Sequence, residues 1–208
     1  MMKQPQAQRL TLRPQRLDGP RGGPSASALD GAPKTASFAA IDFETADYGS
    51  DSACAVGVVR VEGGRIAKRY QALIRPPRSA FQFTYIHGIT WEQVSLEPTF
   101  GQLWPRLREA IGEVQFLAAH NARFDRKVLE TCCLCAQTAL PRLPFVCTVE
   151  LARRTWKIFP TKLPMVCEHL GIELNHHQAL SDAEACARIV LAALETGWRH
   201  DSSPARTA

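Results

Sequence analysis

An apolar strand that ends in two acids constrains this chain more than any other feature. Phe38–Phe43 reads as a short buried strand, and it runs out as Ile41-Asp42-Phe43-Glu44-Thr45. Side chains alternate along a strand, so Asp42 and Glu44 share one face while Phe43 points to the other. Two carboxylates side by side at the end of an apolar strand repel each other. They need a cation, or one must keep its proton. Taken alone, a solvated strand end also accounts for the triplet.

The elements after this strand set the fold class. Ala55–Glu62 reads as a second strand, and Gly63-Gly64 supplies a two-residue turn into a third, Ile66–Ile74, which Pro76-Pro77 stops. Thr99 with Gln102 has the capping-box pattern for a helix to about Ile111, and Pro105 is expected to kink it or delay its start. Val114–Ala119 reads as a fourth strand, followed by a helix through Arg126–Gln137 with Val128, Leu129, Cys132 and Ala136 on one face. Phe145–Cys147 is a short fifth strand. Two helices follow near Thr148–Trp156 and Pro164–Leu170, the second stopped by Gly171. Ser181 with Glu184 reads as the cap of a last helix that ends before Gly197. A strand hairpin followed by alternating strands and helices predicts an α/β protein, a mixed sheet with flanking helices.

Charge separates the chain into a middle and two ends. The 208 residues hold 25 Lys and Arg against 20 Asp and Glu, yet residues 38–198 hold 17 of each sign. The excess therefore belongs to the ends. Residues 1–36 are rich in Gln, Pro, Arg, Gly, Ser and Ala, with too few large apolar side chains to offset the entropy of ordering them. They are expected as a disordered basic tail, residues 37–198 as the folded domain, and residues 199–208 as a short C-terminal tail. The absence of an apolar run of about 18 residues excludes a transmembrane helix, and the tail lacks the apolar centre of a secretory signal. The seven cysteines (54, 132, 133, 135, 147, 167 and 186) form no paired C-x-x-C knuckles. They read as reduced small hydrophobes, which fits a reducing, cytoplasmic compartment.

Two further acids stand at strand-to-helix junctions. Asp125 closes His120-Asn121-Ala122-Arg123-Phe124-Asp125, just after the fourth strand. Asp182 closes His176-His177-Gln178-Ala179-Leu180-Ser181-Asp182, with His177 five residues before it on a loop. Each acid taken singly is also explained by the favourable field at a helix start. Three acid-bearing junctions and a loop histidine together need a common reason.

The order and spacing of these pieces resemble the DEDDh exonucleases, the superfamily of the DNA polymerase III epsilon proofreading subunit and RNase T. The matching pieces are D-x-E-T as Asp42–Thr45, H-N-x-x-F-D as His120–Asp125, and H-x-A-x-x-D as His177–Asp182. Ile86-His87-Gly88-Ile89-Thr90, and Cys147-Thr148 leading into Leu151-Ala152-Arg153-Arg154, are similar to epsilon-like members. The resemblance spans about residues 37–196. It implies an RNase H-like fold and two divalent metal ions, Mg²⁺ or Mn²⁺. Asp42 would bridge the ions, Glu44 and Asp182 would complete one site, and Asp125 would support the other. Hard cations of this kind take oxygen ligands. His177 would be the general base, since a pKa near 6.5 suits proton transfer around neutral pH. His176 competes for that role, and the motif register chooses His177. His120 reads as structural.

The same resemblance implies a metal-dependent 3′→5′ exonuclease that releases nucleoside monophosphates from single-stranded or frayed DNA ends. An RNase T-like exoribonuclease and a noncatalytic nucleic-acid-binding module are the alternatives. Substrate contacts are expected from His87, from Thr45 by its backbone, from Phe43 or Phe124 by apolar contact, and from Asn121 by hydrogen bonding; for Phe124 a core aromatic is the preferred reading. Arg123, Arg126, Lys127, Arg153, Arg154, Lys157 and Lys162 are candidate phosphate contacts. Ala46-Asp47-Tyr48-Gly49-Ser50 departs from the glycine that relatives often carry after D-x-E-T, and Ala55 stands where they often carry an acid. With about ten residues beyond the last helix, no long polymerase-binding tail is expected, and a stable polymerase partnership is not.

Overall fold

Residues 37–200 are described by the structure, a computed structural model; the expected N-terminal tail (1–36) and residues 201–208 lie outside the described residues. Five strands form one sheet: β1 (Phe38–Thr45), β2 (Ala53–Glu62), β3 (Arg65–Leu73), β4 (Phe116–Ala119) and β5 (Phe145–Cys147), in the order β3-β2-β1-β4-β5. The β3-β2-β1 part is antiparallel, and β1, β4 and β5 run parallel. The mixed sheet expected from the strand pattern is present. Among the described residues seven helices flank it: α1 (Thr84–His87), α2 (Trp91–Val94), α3 (Phe100–Ile111), α4 (Ala122–Cys135), α5 (Thr148–Trp156), α6 (Leu163–Leu170) and α7 (Ala179–Glu195).

The central strand is apolar on both sides because both faces are covered. Phe38 and Ala40 join Val59, Phe116, Leu151, Val166 and Ile189 in the core under α5, α6 and α7. Ala39, Ile41 and Phe43 join Val56, Val58, Leu117, Leu107 and Leu129 in the core under α3 and α4. Period-two alternation therefore sends positions 38, 40, 42 and 44 toward α7. That parity aims Asp42 and Glu44 at the helix that carries Asp182.

Several boundaries differ from those read in the sequence, each for a local reason. The first strand continues through the acids to Thr45, with a register irregularity between Glu44 and Thr45. Thr99 does cap α3, accepting from the Gln102 N–H in a capping box, so Pro105 does not delay the helix start. The fourth helix begins at Ala122, four residues early, because Asn121 turns the chain in the left-handed region at φ 66°. Ser181 does not cap the last helix, which begins at Ala179. Its Oγ instead accepts the Asn175 N–H at 2.8 Å, and Glu184 bonds the guanidinium groups of Arg69 and Arg188. The C-terminal boundary moves as well: the His200 ring stacks on Phe116 at 4.3 Å between centroids, so residues 199 and 200 belong to the packed part. All seven cysteines are free thiols, five of them buried, as small hydrophobes should be.

Candidate active site

Four carboxylates meet at the C-terminal end of β1. Asp42 and Glu44 come from the strand, Asp125 from the first turn of α4 and Asp182 from the first turn of α7. Ligand oxygens of Asp42, Glu44 and Asp182 lie within 4.8 Å of one another. Asp125 is buried behind them, and its Oδ1 accepts the Phe43 N–H at 3.1 Å. That bond ties α4 to the one strand residue between the two acids.

The electrostatics are those of a site short of positive charge. Burial, then repulsion from Asp125, Asp182 and Glu44, holds the Asp42 carboxyl well above the usual carboxylate range. Burial with Asp182 and Asp125 nearby pushes Glu44 up to about 8. Burial also raises Asp125, although the N–H donors from Phe43 and its own backbone oppose the shift. Asp182 is raised by burial and partly relieved by His176 and His177. One oxygen of Asp182, Oδ2, accepts the His176 Nδ1–H at 2.9 Å and the His177 N–H at 3.1 Å. The other, Oδ1, is buried with no hydrogen-bond donor among the described residues. An orphaned buried carboxylate oxygen beside two more carboxylates is a donor set that fits a hard divalent cation.

The histidines separate by what holds them. His120 is committed to structure: Nε2 donates to the Thr161 carbonyl at 3.0 Å and Nδ1 accepts from Thr148 Oγ1 at 2.8 Å. Burial pushes its pKa down to about 4, so it is neutral at physiological pH. His176 is tethered to Asp182, whereas the His177 side chain makes no hydrogen bond among the described residues and stacks on the His176 ring at 3.8 Å. Both rings are exposed at the rim of the site, and His177 sits at φ 66°. Burial and the neighbouring His176 lower the His177 pKa.

The expected substrate contacts divide as well. The Phe43 ring is 3% exposed in the core, so what it offers the site is its N–H and not an apolar surface. Phe124, which also read as a core aromatic, is 43% exposed, because the α4 face toward the sheet is already filled by Val128 and Leu129. Both His87 nitrogens are engaged: Nε2 donates to the Thr45 carbonyl at 3.1 Å and Nδ1 accepts the Ile89 N–H at 3.0 Å. His87 therefore braces the D-x-E-T backbone, and the Thr45 carbonyl is occupied by it. Asn121 is exposed, with a side chain that makes no cap bond. Among the basic candidates, Arg126 lies over the Phe145 ring, Arg153 bonds Thr161 Oγ1, and Arg154 lies 3.8 Å from Glu150.

One group of site-shaping residues escapes sequence reasoning. Arg78 donates to both carboxylate oxygens of Asp47 (2.9 and 3.0 Å) and of Asp51 (2.7 Å each), clamping the loop between β1 and β2. Nothing local signals this, since Arg78 stands 27 and 31 residues away from its partners. Thr148, which locks the His120 ring, stands out in the sequence only as part of a family-like segment.

A mixed five-stranded sheet with four carboxylates converging at the end of its central strand defines the class of RNase H-like exonuclease domains. The RNase T exonuclease family matches residues 39–190. A DNA polymerase III subunit epsilon from Aquifex aeolicus is 30% identical over 172 residues, covering 77% of this chain and 82% of its own. A PolC-type DNA polymerase III from Thermotoga maritima is 31% identical over 164 residues, 77% of this chain, and the chain spans 12% of that relative's length. Exonuclease X, solved in complex with 5′-overhanging duplex DNA, has a TM-score of 0.62 at 28% identity, covering 77% of this chain and 93% of that one. The chain belongs to the DEDDh exonuclease superfamily, in its epsilon-like branch. No helix among the described residues is long and apolar enough to cross a membrane.

Proposed function

We propose that this domain is a metal-dependent 3′→5′ exonuclease that removes nucleoside monophosphates from the ends of single-stranded DNA. The observation that carries the reading is the gathering of Asp42, Glu44 and Asp182 oxygens within 4.8 Å, with Asp182 Oδ1 left without a donor among the described residues. Asp42, Glu44 and Asp182 would hold one divalent ion, and Asp42 with the support of Asp125 a second, Mg²⁺ or Mn²⁺. When bound, such a pair neutralises the carboxylates, activates a water and stabilises the leaving 3′ oxygen of an in-line displacement.

The chain's own residues do the rest. His177 takes the proton of the attacking water: its side chain is untethered, and its lowered pKa keeps it neutral and receptive near pH 7. Its N–H on Asp182 Oδ2 fixes the loop to the acids, and His176 orients the same carboxylate. Asp125 holds the end of β1 through the Phe43 N–H, which keeps Asp42 and Glu44 in register. An unpaired 3′ nucleotide is favoured over an intact duplex end, whose terminal base must first be unstacked before its phosphate can reach the acids. Preference for DNA is supported by the polymerase relatives and by the DNA-bound exonuclease X.

The test uses 3′- and 5′-labelled single-stranded DNA and RNA with Mg²⁺, Mn²⁺ or EDTA. Stepwise loss from the 3′ end that requires the ion, disappears in Asp42→Ala and is faster on DNA is the expected result. Loss that survives Asp42→Ala would sink the metal assignment, and faster loss from RNA would make the enzyme a ribonuclease. Binding without cleavage under every condition would leave only a binding module.

A further inference from the structure

Two histidines and an acid stand together at the start of α7, sharing Asp182 with the carboxylate cluster but offering a different chemistry. One ring nitrogen each from His176 and His177 and one carboxylate oxygen of Asp182 lie within 4.8 Å of one another. By contrast, both nitrogens of His87 and both of His120 are already bonded. In the pair, His176 spends one nitrogen on Asp182, and the His177 ring makes no hydrogen bond among the described residues. Local contacts hold the group in place. The rings stack at 3.8 Å between centroids. The His176 Nδ1–H and the His177 N–H both bond Asp182 Oδ2, at 2.9 and 3.1 Å. The chain turns through φ 66° at His177, which a residue other than glycine keeps only where its surroundings fix it. The Asp182 side chain is 5% exposed and its Oδ1 has no donor among the described residues, whereas both rings face solvent at the rim. An ion arriving from outside therefore meets the nitrogens first, with a buried carboxylate behind them.

We propose that His176, His177 and Asp182 form a third metal site, selective for Zn²⁺ or a like transition-metal ion, whose occupancy stops the exonuclease. Imidazole ligands suit Zn²⁺, Cu²⁺ or Ni²⁺, whereas the all-oxygen set of Asp42, Glu44 and Asp182 suits Mg²⁺ or Mn²⁺. Two nitrogens, one oxygen and a water complete the four-coordinate shell of zinc. With bonds of ~2.0–2.2 Å, that shell sets its ligand atoms about 3.3–3.6 Å apart. The group must then draw in by at most about 1.5 Å from its present spread, and the untethered His177 ring can supply that movement. Inhibition follows from the shared residues. The ion takes the lone pair with which His177 accepts the proton of the attacking water, and it draws on the carboxylate that the hard ions need. The inhibition rests on the proposed exonuclease function; the site does not.

The test is calorimetry with Zn²⁺ on the full chain in excess Mg²⁺, which keeps the all-oxygen set occupied. Wild type should bind a single Zn²⁺. His177→Ala should weaken that binding by more than the ~10–100-fold lost with an outer-shell partner, because it removes a ligand outright. This variant keeps the backbone N–H on Asp182, so the acid cluster is left as it was. His176→Ala should weaken Zn²⁺ binding likewise. His169→Ala, at an exposed position of α6, should not. On labelled single-stranded DNA, the Zn²⁺ concentration that halves 3′ loss by wild type should match the calorimetric Kd. It should rise at least ~10-fold in His176→Ala. Zn²⁺ binding unchanged in both histidine variants would overturn the site, since the ion would then sit on the acids in place of Mg²⁺. So would the absence of binding in excess Mg²⁺. Binding through the histidines with cleavage undiminished would overturn the inhibition. A wild-type protein that binds Zn²⁺ through the histidines but cleaves neither DNA nor RNA in Mg²⁺ alone would sink the exonuclease reading and leave the site standing.

Discussion

Glu44, with its carboxyl pushed up to about 8, and Asp42, Asp125 and Asp182, all raised, make the metal-free protein pH-sensitive in an unusual direction. In the unfolded chain these acids ionise near pH 4. Between there and the raised folded values, the folded state holds more protons than the unfolded one, so stability falls as pH rises. A divalent ion reverses this by binding the ionised acids of the folded state alone. Thermal melts in EDTA should therefore show a Tm that declines from about pH 5 to pH 8, with added Mg²⁺ raising it more at pH 8 than at pH 5. A stabilisation by Mg²⁺ that is equal at the two pH values would count against the cluster as the metal site. Removing one charge, Asp42→Asn, should raise metal-free stability by about 1 kcal/mol, ~2–4 °C in Tm. The same change should cost more activity than the ~10–100-fold lost with an outer-shell metal partner. The two histidines are separable by kinetics. His177→Ala should lower kcat by about 10²–10⁴ with little change in KM. His176→Ala should act through Asp182, weakening metal affinity by ~10–100-fold and recovering at high Mg²⁺. The reverse pattern would make His176 the base.

The loop between β1 and β2 shows how an element can be set by residues far from it. Arg78 holds Asp47 down to about 2 and lowers Asp51, chiefly by hydrogen bonding. Gly49 sits inside the clamp, where a Cβ would meet the Arg78 guanidinium and both carboxylates. The depressed folded pKa of Asp47 contributes stability that is present above its unfolded value near 4 and is lost as pH falls toward 2. Arg78→Ala should thus cost about 0.5–1 kcal/mol at pH 7, small because the guanidinium is half exposed. It should also flatten the loss of stability between about pH 4 and 2. Gly49→Ala should mimic it, and the double variant should be no worse than either single one, as groups in one network are non-additive. Additive losses in denaturant melts would show that Gly49 serves something other than the clamp. Elements defined by local chemistry were legible in the sequence: Thr99 and Gln102 cap α3 as read, and the bounds of β5 and α5 stand unchanged. Elements decided by competition were not. Ser181 has the cap residue type and the right spacing, but the Asn175 N–H claims its oxygen, and the four-residue α1 and α2 are too short to carry a period.

At the scale of the molecule, the four acids and the loop histidines were legible because strand parity and motif order are written in sequence. The contact that brings α7 against the sheet was not, since it depends on the absence of a side chain. Gly57 stands opposite Asp42 in the β1–β2 register. It points to the face covered by α7, and a Cβ there would run into the Ala179 carbonyl and the Leu180 N–H. Backbone cannot step aside as the end of a flexible side chain can, so Gly57→Ala must push the start of α7 away from the sheet. Asp182 lies three residues into that helix, and its distance from Asp42 and Glu44 is set by the same approach. The substitution should therefore cost about 1–3 kcal/mol, the usual penalty of overpacking, and should weaken metal binding together with stability. Denaturant unfolding measures the first effect, and the Mg²⁺ concentration needed for half of the thermal stabilisation measures the second. If stability falls while that concentration stays the same, then Asp182 is positioned by the His176–His177 loop that bonds its Oδ2 and not by the seating of α7. In that case, His176→Ala should shift the Mg²⁺ requirement and Gly57→Ala should not.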